Sequence, residues 1–133
     1  MRSWMREGGR ALLALLLVAM VAGCARGPKG LSQAEQAVAA AFVGVWEDQE
    51  TGSRTTVTLA GGQIKVAGVV DRDGEVFPVR QQVWTGSGLT WTYFVPSTEY
   101  LVTIEADGVE DGRMHFRWSN HENSGEDWFL KVD

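Results

Sequence analysis

The rhythm of hydrophobic and polar residues changes twice along this chain. Residues 11–22 are an unbroken apolar run, Ala-Leu-Leu-Ala-Leu-Leu-Leu-Val-Ala-Met-Val-Ala. Over residues 31–42 the apolar positions take helical spacing, with Ala34, Val38 and Ala41 or Phe42 on one face. Ser32 and Glu35 stand at capping-box distance, and the alanines at 37 and 39–41 favour helix. From Phe42 onward the period is two. Tyr100, Val102 and Ile104 alternate with Leu101, Thr103 and Glu105, and Met114, Phe116 and Trp118 alternate with His115, Arg117 and Ser119. Trp91, Tyr93 and Val95 oppose Thr90, Thr92 and a less expected Phe94. One face buried and one wet is the antiparallel signature.

This pattern predicts a short helix and then eight strands, at 43–47, 54–59, 63–70, 75–84, 89–95, 100–106, 113–119 and 126–132. Turn chemistry separates them: Gly52-Ser53, Gly61-Gly62, Asp73-Gly74, Gly86-Ser87-Gly88, Pro96-Ser97, Asp107-Gly108 with Asp111-Gly112, and Asn123-Ser124-Gly125. No connection is long enough for a crossover helix, so the strands form a meander of hairpins. Closing the meander removes its two open edges. The expected fold is therefore all-β, an eight-stranded antiparallel up-and-down barrel behind a short helix. A two-sheet β-sandwich is the second choice. The helix packs on the end of the domain or, alternatively, binds a partner.

Residues 1–10 carry Arg2, Arg6 and Arg10 against Glu7, and the apolar run that follows is too short for stable spanning, which needs about 20 residues. This is the layout of a secretory leader. It ends in Val21-Ala22-Gly23-Cys24, which resembles the lipobox of bacterial lipoproteins. The resemblance implies a signal peptide over 1–23, a lipid on the sulfur of Cys24, and attachment to the membrane through that lipid. An uncleaved helix or a plain secretory signal is the alternative. Acylation also accounts for an unpaired cysteine in an oxidising compartment. Two or three acyl chains anchor durably where one is marginal. Among such lipoproteins of Gram-negative bacteria, Ala25 rather than aspartate after the cysteine implies sorting to the outer membrane, facing the periplasm. Residues 24–30 then form a lipidated tether, and 31–133 the domain.

Removing the leader's three arginines and one glutamate leaves nine basic and sixteen acidic residues, a net charge of −7 against −5 for the whole chain. With no basic stripe, nucleic acid is excluded as a partner. An electrostatic grip on anionic lipid is disfavoured as well.

Phe42-Val43-Gly44-Val45-Trp46, directly after the helix, resembles the opening of lipocalins and other calycins, in which Gly-x-Trp starts an up-and-down barrel and the indole closes its floor. The resemblance covers Gly44, Trp46 and the strand count over roughly ninety residues. It implies a ligand site at the barrel's open end and a basic residue packed over the tryptophan, for which Lys131 and Arg117 are candidates. The barrel is shorter than a lipocalin's and has no long lid loop.

The expected inward aromatics are Trp46, Trp91, Tyr93, Tyr100, Phe116, Trp118 and Trp128. They either line a pocket for a small apolar ligand or fill the barrel, since aromatics of about 150–250 Å² each occupy most of so small an interior. Trp46, Trp91, Tyr93, Tyr100, Trp118 and Trp128 are the candidate ligand residues. His115 and His121 are too dissimilarly placed for a metal pair. The run Asp71-Arg72-Asp73-Gly74-Glu75 lacks the ligands that complete a calcium loop and reads as a hairpin turn. Residues 119–125 either line a binding site or, as such runs more often do, form a hairpin loop whose Asn and Ser satisfy its own backbone. No nucleophile elbow or phosphate loop occurs, and Glu47-Asp48 and Glu126-Asp127 point to opposite strand faces. The expectation is a non-enzyme without cofactor or metal: a lipid-anchored envelope protein that binds a small ligand. The alternative is a protein-interaction module, either a periplasmic inhibitor or an accessory of envelope assemblies, with Phe94, Phe129 and the 120–125 loop exposed.

Overall fold

The computed structural model describes residues 30–133, so the leader, Cys24 and the tether up to Lys29 lie outside the described residues. Helix α1 spans Gln33–Ala40. Its capping box is complete: the Glu35 amide donates to Ser32 Oγ at 3.2 Å, and the Ser32 amide donates to Glu35 Oε1 at 3.4 Å. Nine strands follow: β1 Gly44–Asp48, β2 Arg54–Ala60, β3 Gln63–Val70, β4 Val76–Phe77, β5 Val79–Trp84, β6 Leu89–Val95, β7 Tyr100–Glu110, β8 Arg113–Ser119 and β9 Ser124–Lys131.

They form one antiparallel sheet in the order β4-β3-β2-β1-β9-β8-β7-β6-β5. The sheet curls into a nearly closed barrel, with bulges at Thr56/Val57, Val79/Gln81 and Ala106/Gly108 that increase its local twist. A single sheet replaces the sandwich alternative. Nine strands also correct the expected eight. The difference arises at Pro78, which has no amide proton to continue a ladder. Before it, Val76 and Phe77 pair with β3; after it, Val79 to Trp84 pair with β6. The two sheet edges are thus consecutive pieces of one run, and the Phe94 amide fastens the junction by donating to the Pro78 carbonyl at 2.9 Å. Beyond the junction β3 and β5 face each other without a backbone ladder. There the Val66 amide donates to the Gln82 side-chain oxygen at 2.6 Å, and a glutamine stands in for a strand.

The alternation predicted for β6, β7 and β8 is observed. Trp91 pairs with Ile104, and Ile104 with Trp118, all on the inner face. Strand β9 is different. Met114 pairs with Phe129, Phe116 with Asp127, and His115 with Trp128. Phe129 is therefore inside and 3% exposed, while Trp128 lies outside between Arg113 and His115. This corrects both the inward placement of Trp128 and the exposed placement of Phe129. Three large apolar residues in succession, Trp128-Phe129-Leu130, leave a period of two with no preferred face, so pairing decides.

One end of the barrel is closed. Trp46 is fully buried there, and its indole N–H donates to the Phe42 carbonyl at 2.8 Å. Phe42 meets Trp84 edge to face at 5.4 Å. Gly44 has φ +143, and a Cβ on it would lie 2.7 Å from the Asp133 carbonyl oxygen and 2.8 Å from Lys131 Cε, so only glycine lets the last strand come this close. Lys131, in register with Trp46, thus lays its side chain against Gly44. The Leu31 amide donates to the Gly62 carbonyl at 2.7 Å, which ties the start of the domain to this same end.

Candidate functional site

The middle of the barrel is filled. Phe116 stacks on Phe129 at 4.0 Å, and Phe129 on Trp91 at 6.1 Å. Trp91 is 1% exposed, and its indole nitrogen has no hydrogen-bond partner among the described residues. At the end opposite Trp46 the packing opens into a cavity of about 220 Å³. Its wall is the upper inner face of β6, β7 and β8: Tyr93, Val102, Ile104, Phe116 and Trp118. Its rim is Asp48, Glu50 and Thr51 from the β1–β2 turn, with Asn120 from the β8–β9 turn. At ~30 Å³ per water, the space matches about seven waters. It suits a small guest or the end of a larger one, and a fatty acid would leave most of its chain outside.

Local chemistry fixes each rim group. The Asp48 Oδ1 accepts from the Glu50 amide at 2.9 Å and the Thr51 amide at 3.4 Å, an Asx-type turn that leaves Oδ2 without a hydrogen bond among the described residues. Asn120 Oδ1 accepts from the amides of Glu122 and Asn123, both at 2.8 Å, so the 120–125 loop satisfies its own backbone. The segment from Asp71 to Glu75 is a hairpin turn: the Asp71 amide donates to the Glu75 carbonyl at 2.8 Å, and the Gly74 amide to the Asp71 carbonyl at 3.0 Å. Among the described residues no group of three or more histidine, cysteine or acidic side chains is placed to hold a metal ion.

Tyr93 is the central polar group of the wall. Its ring stacks on Phe77 at 5.3 Å. Burial first, then the carboxylates of Asp48 and Asp71, pushes its hydroxyl up to about 12. Tyr100 lies outside the cavity lining, edge to face with His121 at 4.6 Å. Its hydroxyl donates to Glu122 Oε2 at 3.1 Å, and that bond, with the charge behind it, raises its pKa above the ordinary value.

Of the six candidate ligand residues, Tyr93 and Trp118 line the cavity. Tyr100 is outside its lining, against Glu122 and His121, Trp46 is sealed into the opposite floor, Trp91 is locked in the filled middle, and Trp128 is outside. Sequence reasoning missed Asp48 and Glu50 as members of the site, and favoured for Asn120 a loop that satisfies its own backbone. The three lie on two turns more than sixty residues apart, and only barrel closure through the Trp46–Lys131 register brings those turns together. Searched against family models, curated proteins and solved structures, the chain matches none.

Proposed function

We propose that this protein is a lipid-anchored binding protein of the bacterial envelope, calycin-like in its barrel, which takes a small ligand at its open end. The cavity lined by Tyr93, Phe116 and Trp118 carries this reading: it is an apolar-walled opening at the barrel end opposite Trp46. The lipobox resemblance at Cys24 supports the anchor. The domain's first described residues are tied to the closed end, so a tether there leaves the opening facing away from the membrane. Nothing in the reading requires catalysis.

Two measurements test it. Mass spectrometry of the native polypeptide should find it beginning at a diacylglyceryl-modified Cys24, and a chain beginning at Met1 without lipid overturns the anchor. Titration of the protein in detergent with small aromatic and short aliphatic compounds should shift the tryptophan emission. No response across the panel overturns the ligand site.

A second reading, a protein-interaction module, rests on a different surface. On the outer faces of β6 and β7, Leu101 is 53% exposed and pairs with Phe94, which carries the Arg80 guanidinium 5.2 Å above its ring. Crosslinking in intact membranes that traps a partner at Leu101 would favour this alternative.

A further inference from the structure

The open end of the barrel combines two chemistries that seldom share so small a space. Its wall is apolar and mainly aromatic, with Tyr93, Phe116 and Trp118 beside Val102 and Ile104. Its rim holds two carboxylates, Asp48 and Glu50, and none of the residues lining the cavity is basic. Asp71 adds a third negative charge close enough to act on the Tyr93 hydroxyl. The arginines of these turns do not line the cavity. Arg54 is paired with Glu47 at 3.0 Å. Arg72 lies flat against Gly52, where a Cβ would come within 2.6 Å of its Nε, and with Arg54 it lines a separate outer groove.

We propose that the guest of this cavity is a small organic cation, an ammonium or guanidinium group on an apolar body of about seven to nine heavy atoms. The inference rests on the ligand-site reading above and narrows it. The apolar body enters against Phe116 and Ile104. The charged head stays at the rim, where Asp48 Oδ2 is unengaged by the turn and Glu50 is exposed. Aromatic faces at the wall add attraction for the cation, more so where water is displaced. A carboxylate guest meets the opposite situation: the like charges of Asp48 and Glu50 at the entrance and no basic residue among those lining the cavity. A neutral guest gains the wall alone. Charge at the rim therefore ranks the three, cation over neutral over anion.

The test uses the full-length protein in detergent micelles and three probes of one shape: benzylammonium, benzyl alcohol and benzoate. Binding is read from the amide and indole resonances of Asn120 and Trp118. Benzylammonium should bind about tenfold tighter than benzyl alcohol, benzoate should bind weakest, and added salt should narrow the gap. Asp48→Asn keeps the Oδ1 acceptor that holds the turn, and Glu50→Gln alters an exposed side chain. The double variant should lose the tenfold preference, so that benzylammonium and benzyl alcohol bind about equally. Equal binding of cation and alcohol, or a preference that survives in the double variant, overturns the cation inference and leaves the ligand site standing. No response at Trp118 or Asn120 to any of the three overturns both.

Discussion

Tyr93 and Tyr100 are the only tyrosines in the chain, so alkaline titration reads the site directly. Tyr93 keeps its proton to about 12, against 10.0 for an unburied phenol, mainly because burial penalises the phenolate and secondarily because Asp48 and Asp71 repel it. The sign of the effect on stability follows. Below the unfolded value both states hold the proton, and the folded state has its full stability. Between the two values the folded state binds more protons than the unfolded one, so stability falls as pH rises. A displacement of about two units corresponds to a loss on the order of 2–3 kcal/mol across that window, at ~1.4 kcal/mol per unit. That is a substantial part of the 5–15 kcal/mol typical of a domain. The assay is the ultraviolet absorbance of tyrosinate, read immediately after a pH jump so that folded protein is observed. The wild type should titrate in two steps, both above the ordinary phenol value. Tyr93→Phe, which keeps the ring stack on Phe77, should delete the higher step and flatten the alkaline loss of stability relative to wild type. Both tyrosines ionising together near 10, or a Phe variant that loses the lower step, would refute the placement of Tyr93 between a dry wall and an acidic rim.

Three other changes probe the scaffold. Trp46→Phe removes the indole donor to the Phe42 carbonyl and part of a fully buried ring, and should cost about 2–4 kcal/mol in denaturant unfolding. Gln82→Leu leaves the Val66 amide without its acceptor in the gap between β3 and β5; hydrogen exchange should speed up selectively at Val66, with a stability loss of about 1–2 kcal/mol. Gly125→Ala sets a Cβ 2.8 Å from Trp118 Nε1, so the indole must move; folding should survive with a loss of about 1 kcal/mol while probe binding at the cavity weakens measurably.

The walls of the barrel were legible in the sequence because β6, β7 and β8 alternate apart from Phe94 and Leu101, and a residue on an alternating strand has one choice of face. The Glu75–Trp84 segment and β9 were not legible in the same way. A period of two says nothing about which neighbour a strand pairs with, so the pattern runs through the change of partner at Pro78 as one continuous strand. In β9 the succession Trp128-Phe129-Leu130 satisfies either face, and the register with β8 breaks the tie by placing Phe129 opposite Met114. The rim is a third case. Asp48 and Glu50 read locally as turn residues, which they are. Their second role appears only when the β1–β2 and β8–β9 turns meet at the same end.

That meeting follows from counting passes. β4 and β5 run in the same direction on either side of Pro78, so nine strands make eight traverses of the barrel. An even number of traverses returns the chain to the end where it started: the Val45 amide donates to the Asp133 carbonyl at 2.9 Å, beside the floor built on Trp46. The turns after β1, β3, β6 and β8 then all fall at the other end. They bring with them Asp48, Glu50, Asp71, Asp73, Glu99 and Glu122, a share of the acidic residues that the closed end does not receive. A barrel with one more or one fewer traverse would place its last residues among those turns and cover the opening. The parity that puts both ends of the domain on the floor is thus the same property that leaves an acidic, aromatic-walled mouth uncovered at the opposite end.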